Sequence, residues 1–331
     1  MTKEIDMTRT ETALVLGATG GIGGEVARRL AARGWHVKAL NRSAARQAEP
    51  GLAWVQGDAM RPADVIAAAE GAALIVHAVN PPGYRRWEEL VLPMLDSSIA
   101  AARASGARIL LPGTVYNYGA DAYRRPIAED APQNPLTRKG RVRVEMERRL
   151  KAAAGEGVRT LIVRAGDFFG PRAANNWFSQ GLVKPGRPVT RITYPGRPGT
   201  GHQWAYLPDV AETMIRLVER EAELADFACY HMDGHWDADG RAMVAAIGRA
   251  AGTPAPRVSA FPWWLAALAS PIVPLFRELR EMRYLWQEPV RLDNARLRAL
   301  LGDEPRTPLD EAVRATLRGL GALGQGGEAD H

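Results

Sequence analysis

The chain has 331 residues, of which 46% are hydrophobic and 24% are charged, so it can bury a large core and is not disordered as a whole. Its formal net charge is +6, but the arginines are scattered over predicted helix surfaces, so we expect no nucleic-acid partner. A single cysteine, Cys229, excludes an intramolecular disulfide, and the first residues lack the apolar core of a signal peptide; both features predict a cytoplasmic protein.

The first predicted element is a short apolar strand at 13–16, which continues into a glycine-rich loop and then a helical pattern. Gly17 permits a tight turn, Gly20 lets phosphates approach the backbone, and Gly23 lets the helix pack against the strand. This context predicts a dinucleotide site, against the alternative of a tight turn that binds nothing. The loop residues predicted to bind the cofactor are Gly17, Thr19, Gly20, Gly21, Ile22 and Gly23.

The second strand, predicted at 35–40, ends in Asn41 and Arg42, where a chain selective for NAD usually carries an acidic residue for the ribose hydroxyls. Arg42 is suited to bind a 2′-phosphate, so we expect NADP as the preferred cofactor, with NAD as the alternative. The other interpretation of Arg42 is a surface arginine. Asp58 and Ala59, after the third strand, are predicted to contact the adenine, although Asp58 also suits the start of a turn.

Strand and helix signals alternate through the first half of the chain, and this alternation predicts a parallel sheet with helices on both faces. The fold class is therefore α/β, a Rossmann-like doubly wound parallel sheet. A smaller C-terminal mixed α/β lobe would form the substrate pocket. We expect a nucleotide-binding domain at 1–170 and a lobe at 171–331, with some segments returning to the first domain. The further strands are predicted at 53–55, 73–78, 108–111 and 158–163, and the helices at 62–71, 84–105, 138–154, 209–221, 240–251 and 308–320.

Several spaced motifs resemble the extended short-chain dehydrogenase/reductase family, in particular its NAD-dependent epimerase/dehydratase-like branch. The motifs lie at 17–23, 57–58, 77–78, 114–119, 164–171 and 206–211, and the tail at 292–309 resembles that family's closing helix and turn. The resemblance implies further cofactor contacts at Ala78, Val79, Ala165 and Gly166. It also implies a small-molecule substrate and, by analogy with relatives, a homodimer formed by the helices at 84–105 and 138–154.

Active members of this family use a Ser or Thr hydroxyl and a Tyr and Lys four residues apart on the next long helix. Thr114 supplies the hydroxyl. When the helix is aligned on Glu145, Thr137 falls in the tyrosine position and Arg141 in the lysine position. Threonine is too weak an acid to replace tyrosine, but Arg141 is suited to bind the cofactor ribose. The sequence contains no Tyr-x-x-x-Lys.

Three arrangements would accommodate this loss. Tyr116 or Tyr118 acts from the neighbouring strand end, the substrate needs no strong acid, or the protein binds its cofactor without turnover. We expect an NADP-preferring oxidoreductase with a rearranged active site that acts on a small carbonyl or alcohol. The candidate catalytic residues are Thr114, Tyr118, Thr137 and Arg141. The alternative is a non-catalytic NADP-binding sensor or regulator.

Three histidines are further candidates for a functional role. His231 and His235 have a spacing that a metal would accept, but a strand-to-helix turn capped by Asp237 or Asp239 is the simpler interpretation, so we expect no metal. His202 is interpreted either as an acid in the substrate lobe or as a packing and hydrogen-bonding residue.

Aromatic residues are dense at 261–265 and 284–286. They are interpreted as the core of the small lobe, with the lining of an apolar substrate pocket and a surface patch as alternatives. The apolar region 261–276 is shorter than a membrane span and contains prolines, so we expect no transmembrane helix.

Overall fold

The computed structural model describes residues 10–81, 86–173, 176–253, 256–270 and 274–323. In chain order, the strands are β1 (Thr12–Leu16), β2 (His36–Asn41), β3 (Leu52–Gln56), β4 (Leu74–His77), β5 (Arg108–Thr114), β6 (Thr160–Ala165), β7 (Asp167–Phe169), β8 (Arg191–Tyr194), β9 (His202–Tyr206), β10 (Phe227–His231), β11 (His235–Asp237) and β12 (Arg257–Ala260). The helices are α1 (Gly21–Ala32), α2 (Pro62–Ala68), α3 (Trp87–Ser105), α4 (Arg138–Ala154), α5 (Leu207–Val218), α6 (Arg241–Ala250), α7 (Trp263–Ala269), α8 (Pro274–Glu281), α9 (Ala295–Leu301) and α10 (Leu309–Gly319).

Seven parallel strands form the main sheet, in the order β10-β6-β5-β4-β1-β2-β3. After β1 the chain adds β2 and then β3 on one side of that strand. The next strand, β4, pairs with β1 on its other side. Such a reversal of strand order opens a crevice at the carboxyl ends of the strands, where ligands bind in folds of this type.

Helices cover both faces of this sheet because its strands are apolar on both sides. On β1, Ala13 and Val15 face the layer that contains α1 and α5, whereas Leu14 and Leu16 face the layer that contains α2, α3 and α4. All four side chains are buried. The predicted doubly wound α/β fold is therefore confirmed.

A smaller lobe of mixed structure follows β6. It contains a three-stranded sheet in the order β11-β9-β7 and a parallel pair of β8 and β12. Its core is rich in aromatic residues, among them Phe169, Trp204 and Trp286. Two elements of this half of the chain return to the main sheet, since β10 pairs with β6 and α5 packs against α1.

Helices and strands differ from the sequence prediction mainly at their ends. The helix predicted from residue 84 is described from Trp87 onwards, and Tyr84 lies outside the described residues. β5 extends three residues further than predicted, so that Thr114 lies at the carboxyl end of the strand. In the part of the chain that the structure describes, no helix is both long and apolar enough to cross a membrane.

Candidate active site

A cleft of about 1130 Å³ lies at the carboxyl ends of the central strands and continues between the sheet and the smaller lobe. The predicted site residues that line it are Gly17, Thr19, Gly20, Gly21, Ile22, Asn41, Arg42, Asp58, Ala59, Ala78, Val79 and Thr114. The structure therefore brings together residues that are up to 97 positions apart in the sequence (114 minus 17).

The glycine loop is tight enough to exclude side chains at two positions. Gly17 has a φ of +93°, and a Cβ there would lie 2.5 Å from the Ala78 carbonyl oxygen. At Gly23 a Cβ would lie 2.3 Å from the Gly17 carbonyl oxygen, so only glycine allows α1 to approach β1 this closely. Among the described residues, no side chain caps the first turn of α1. These features fit a pyrophosphate held by backbone amides.

Arg42 and Asp58 lie at the other end of this half of the cleft. The Arg42 side chain is exposed and its carbonyl accepts from the Gln56 side chain at 2.7 Å. Asn41 has a local role, since its Oδ1 accepts from the Ser43 amide at 2.7 Å. The Asp58 carboxylate accepts from the Met60 amide at 3.0 Å, so Asp58 both begins a turn and faces the cleft.

Ala165 and Gly166, which were expected to contact the cofactor, do not line the cleft. Ala165 is buried in β6, and a Cβ on Gly166 would lie 2.2 Å from the Gln203 carbonyl oxygen. Gly166 therefore serves the close approach of β9. Asp167, the next residue, does line the cleft.

Tyr118 is completely buried and does not reach the cleft. Its hydroxyl lies 2.9 Å from His231 Nε2 and accepts a hydrogen bond from the Arg164 guanidinium. Burial raises the pKa of Tyr118 above its usual value. The expectation that Tyr118 supplies the missing acid is thus corrected, and Tyr116 is the tyrosine of this segment that lines the cleft.

The phase of α4 differs from the alignment on Glu145. The buried glutamate is Glu147, which is held by the buried Arg164 side chain: Oε1 accepts from Nε at 3.0 Å, and Oε2 pairs with Nη2. Glu145 instead forms ion pairs with Arg148 and Arg149 at the surface. When the helix is aligned on Glu147 instead, the tyrosine position falls on Lys139 and the lysine position falls on Arg143.

Thr137 and Arg141 are consequently outside the cleft, which corrects their expected roles. The Thr137 hydroxyl caps α4 by accepting from the Gly140 amide at 2.9 Å, and Arg141 is exposed. Lys139 and Arg143 line the cleft in their place, four residues apart. A sequence signal for this phase exists, because Lys139 and Arg143 share one side of the helix with the apolar stripe of Val142, Met146 and Leu150, and Arg141 lies opposite.

Arg143 is fixed at the base of the cleft by contacts with its surroundings. Its Nη1 donates to the Pro112 carbonyl at 3.3 Å, and its guanidinium carbon lies 5.6 Å from the centre of the Trp87 ring. Burial, and then the charge of Arg143, lower the pKa of His77 to about 3. His77 is therefore neutral, and its Nδ1 lies 2.8 Å from the Ser98 hydroxyl.

The aromatic residues near the C-terminus lie in three environments, which are the core of the lobe, the lining of the cleft and the exposed surface. Trp286 is buried in the lobe core, and Phe261 lines the cleft together with Phe276 and Leu279. Trp264 and Leu268 are exposed on α7. One part of the cleft wall is accordingly apolar and aromatic.

His231 and His235 form parts of the fold. His231 Nδ1 lies 2.9 Å from the Ile127 carbonyl oxygen, and burial lowers the pKa of His235 to about 4. As predicted, Asp237 caps α6: its carboxylate accepts from the amides of Gly240 and Met243. Within the described residues, no group of three or more potential metal ligands comes together.

His202 joins the lobe to the cleft wall. Its Nε2 lies 3.0 Å from Asp167 Oδ2, its Nδ1 lies 3.1 Å from the Leu285 carbonyl oxygen, and its ring stacks on Trp286. His202 thus packs and forms hydrogen bonds, as one of the two sequence interpretations proposed.

The amino-acid sequence is similar to those of known proteins. Residues 13–228 match the model of the NAD dependent epimerase/dehydratase family. A 3-diazoavenalumate denitrifying reductase from a Streptomyces species is 27% identical over 267 residues, which are 74% of this chain and 83% of the relative.

Two solved structures show the same fold at low identity. One is MoeE5 in complex with UDP-glucose and NAD, with a TM-score of 0.71 and 16% identity over 93% of this chain and 98% of that one. The other is a variant of UDP-glucuronic acid 4-epimerase from Bacillus cereus, with a TM-score of 0.73 and 14% identity over the same shares of the two chains.

Proposed function

The chain belongs to the NAD-dependent epimerase/dehydratase family, and from this membership we propose that it is a reductase that prefers NADPH and acts on an apolar or aromatic carbonyl compound. One observation carries the proposal. A single cleft connects the glycine loop to two cationic side chains of α4, beside Thr114, and then to an aromatic wall. A reduced nicotinamide bound along this cleft would supply a hydride.

The chain's own residues would bind and orient the reactants. The amides at the start of α1 hold the pyrophosphate, and Arg42 contacts the 2′-phosphate. Arg143 holds the ribose next to the nicotinamide, in the role that the family gives to lysine. Thr114 and Lys139 polarise the acceptor oxygen of the substrate, because both line the cleft on the carboxyl side of β5.

The apolar part of the cleft supports an apolar or aromatic substrate. Phe261, Phe276 and Leu279 offer flat or branched apolar surface to such a compound. The structural relatives named with UDP-sugars share the fold at less than 20% identity and do not fix the substrate of this chain.

A second candidate substrate is an aromatic diazo compound, and the relative named as a denitrifying reductase favours it. Hydride adds to the terminal nitrogen of an aryl diazonium ion, and the resulting diazene loses N₂ to give the arene. The two steps consume no proton overall. Such a substrate suits a cleft in which Lys139 occupies the position of the tyrosine acid.

The function is tested by mixing purified protein with NADPH or NADH and a panel of aromatic aldehydes, ketones and diazonium salts, and following nicotinamide absorbance. We expect NADPH oxidation with at least one class. Lys139→Met should lower kcat/KM by about 10²-fold or more. The matched control Arg141→Ala, on the opposite side of the same helix, should leave it unchanged. Tight NADPH binding without oxidation of any substrate would instead support the non-catalytic regulator.

Cofactor preference is tested separately with Arg42→Ala. Loss of a charge-assisted contact with the 2′-phosphate should weaken NADPH binding by about tenfold or more and leave NADH binding unchanged. Arg46→Ala is the control, since Arg46 is exposed in the same loop but does not line the cleft. Equal affinities for NADPH and NADH in the wild-type protein would overturn the preference for NADP.

A further inference from the structure

The pair formed by Asp167 and His202 lies where the smaller lobe meets the cleft. Asp167 is on β7 and lines the cleft, and His202 is directly behind it on β9. Both are at least 93% buried, with relative exposures of 7% for Asp167 and 5% for His202.

His202 faces a hydrogen-bond acceptor at each of its two ring nitrogens. His202 Nδ1 faces the Leu285 carbonyl oxygen at 3.1 Å, and Nε2 faces Asp167 Oδ2 at 3.0 Å. Both partners are acceptors, but a neutral imidazole has only one N–H to donate. Two hydrogen bonds therefore require either an imidazolium beside a carboxylate or a neutral imidazole beside a protonated Asp167.

The surroundings favour the imidazolium. The His202 ring stacks on Trp286 with centroids 3.8 Å apart and an angle of 8° between the planes, and Trp204 lies 4.8 Å away. The negative face of an indole ring attracts a cation. Tyr284 also interacts with Asp167 and is a neutral phenol, because burial raises its pKa well above the usual value.

The position of Asp167 gives this proton an exit to the cleft. A small cavity of about 10 Å³, large enough for about one water molecule, also lies against Asp167 and His202. Across the main sheet, Ala165 pairs with Thr114, so Asp167 follows closely after the strand position beside the candidate hydroxyl. Asp167 thus lines the cleft and contacts His202, and the small cavity borders both residues.

We propose that Asp167 and His202 together donate the proton in carbonyl reduction, in place of the catalytic tyrosine that is absent from α4; the proposal rests on the reductase function above. As hydride adds to the carbonyl carbon, the electron pair of the C=O π bond moves to oxygen. His202 Nε2 gives its proton to the Asp167 carboxylate, and the resulting carboxyl group gives a proton to that oxygen. Solvent then returns one proton to His202, so carbonyl, NADPH and H⁺ give alcohol and NADP⁺.

The first test detects the proton without turnover. Nitrogen-15 NMR of histidine-labelled protein at neutral pH, with the His202 signal assigned by its loss in His202→Gln, should show both ring nitrogens protonated. A His202 ring with only one protonated nitrogen would overturn the proposal, even if the protein proves to be an active reductase.

The second test measures the reaction. Asp167→Asn and His202→Gln should each lower kcat for carbonyl reduction by about 10²-fold or more, with little change in NADPH affinity. The alkaline fall in kcat/KM of the wild-type protein should disappear in His202→Gln. His235→Gln is the matched control, because His235 is a buried histidine on the adjacent strand β11 that does not line the cleft.

The results separate the two proposals. Folded Asp167→Asn and His202→Gln proteins that bind NADPH and retain full carbonyl reductase activity would overturn the proton-donor role but leave the reductase function intact. If the wild-type protein reduces no carbonyl compound at all, the reductase proposal fails, and the proton-donor role fails with it even where NMR shows a doubly protonated ring.

Discussion

Glu145 and Glu147 are two residues apart on α4 but have opposite environments. Glu147 is buried and held by Arg164, whereas Glu145 pairs with arginines at the surface. A buried carboxylate and guanidinium depend on each other, because either one alone would be an uncompensated charge in the interior. This contact fixes which side of α4 faces the cleft and so presents Lys139 and Arg143 to it.

The pair of glutamates provides a test at the residue scale. Glu147→Gln should lower the free energy of unfolding by about 3 to 5 kcal/mol, because it leaves the charge of Arg164 buried without its partner. The same substitution at Glu145 should cost much less, since surface ion pairs contribute little. Urea denaturation of the two variants measures both values. Similar losses in the two variants would show that Glu147 does not fix the phase of α4.

At the scale of elements, the contact between β1 and α1 depends on the glycine loop. The turn at Gly17 and the close packing at Gly23 share the same atoms, because the Gly17 carbonyl oxygen is the nearest neighbour of a Cβ at Gly23. Loop shape and helix position are therefore coupled. A change in either one moves the amides at the start of α1.

Gly23→Ala tests this coupling. A Cβ 2.3 Å from a backbone oxygen forces α1 away from β1, so we expect a loss of about 1 to 3 kcal/mol in unfolding free energy and severely weakened NADPH binding. Gly155→Ala is the control: Gly155 has a φ of −62° at the end of α4, and the nearest atom to its Cβ would be 3.3 Å away. Unchanged NADPH binding by a folded Gly23→Ala protein would contradict this account of the loop.

At the scale of the whole molecule, three buried histidines make the fold sensitive to acid. His231 shows the reason most clearly: Nδ1 donates to the Ile127 carbonyl, so Nε2 must accept, and Arg164 and Tyr118 face it. Burial, and then the charge of Arg164, lower the pKa of His231 from 6.5 to about 3. His77 and His235 have pKa values lowered in the same direction.

The free energy of unfolding should therefore fall as the pH drops from 6.5 towards 3. In that interval the unfolded chain binds protons that the folded protein excludes, at a cost of up to ~1.4 kcal/mol per pH unit for each histidine. Above pH 6.5 these residues add no pH dependence. In His231→Gln the decrease in the free energy of unfolding should be smaller by about the contribution of one histidine. Urea denaturation at several pH values measures this difference. An unchanged slope would contradict the neutral state of His231.

The positions that the sequence predicted correctly are those that depend on near neighbours. The glycine loop, the strand ends at Asn41 and Asp58, Thr114 and the cap at Asp237 follow from local spacing and composition. The alternation of apolar strands with helices likewise determined the parallel sheet, because strands covered on both faces must be apolar throughout.

The tertiary structure decided which polar side chains meet. Tyr118 is buried by Arg164 and His231, 46 and 113 positions further along the chain. Asp167 and His202 are 35 positions apart and meet only because β7 pairs with β9. Local patterns fix strands, turns and helix faces, but contacts between distant segments depend on how the elements pack, and in this protein those contacts select the residues that face the cleft.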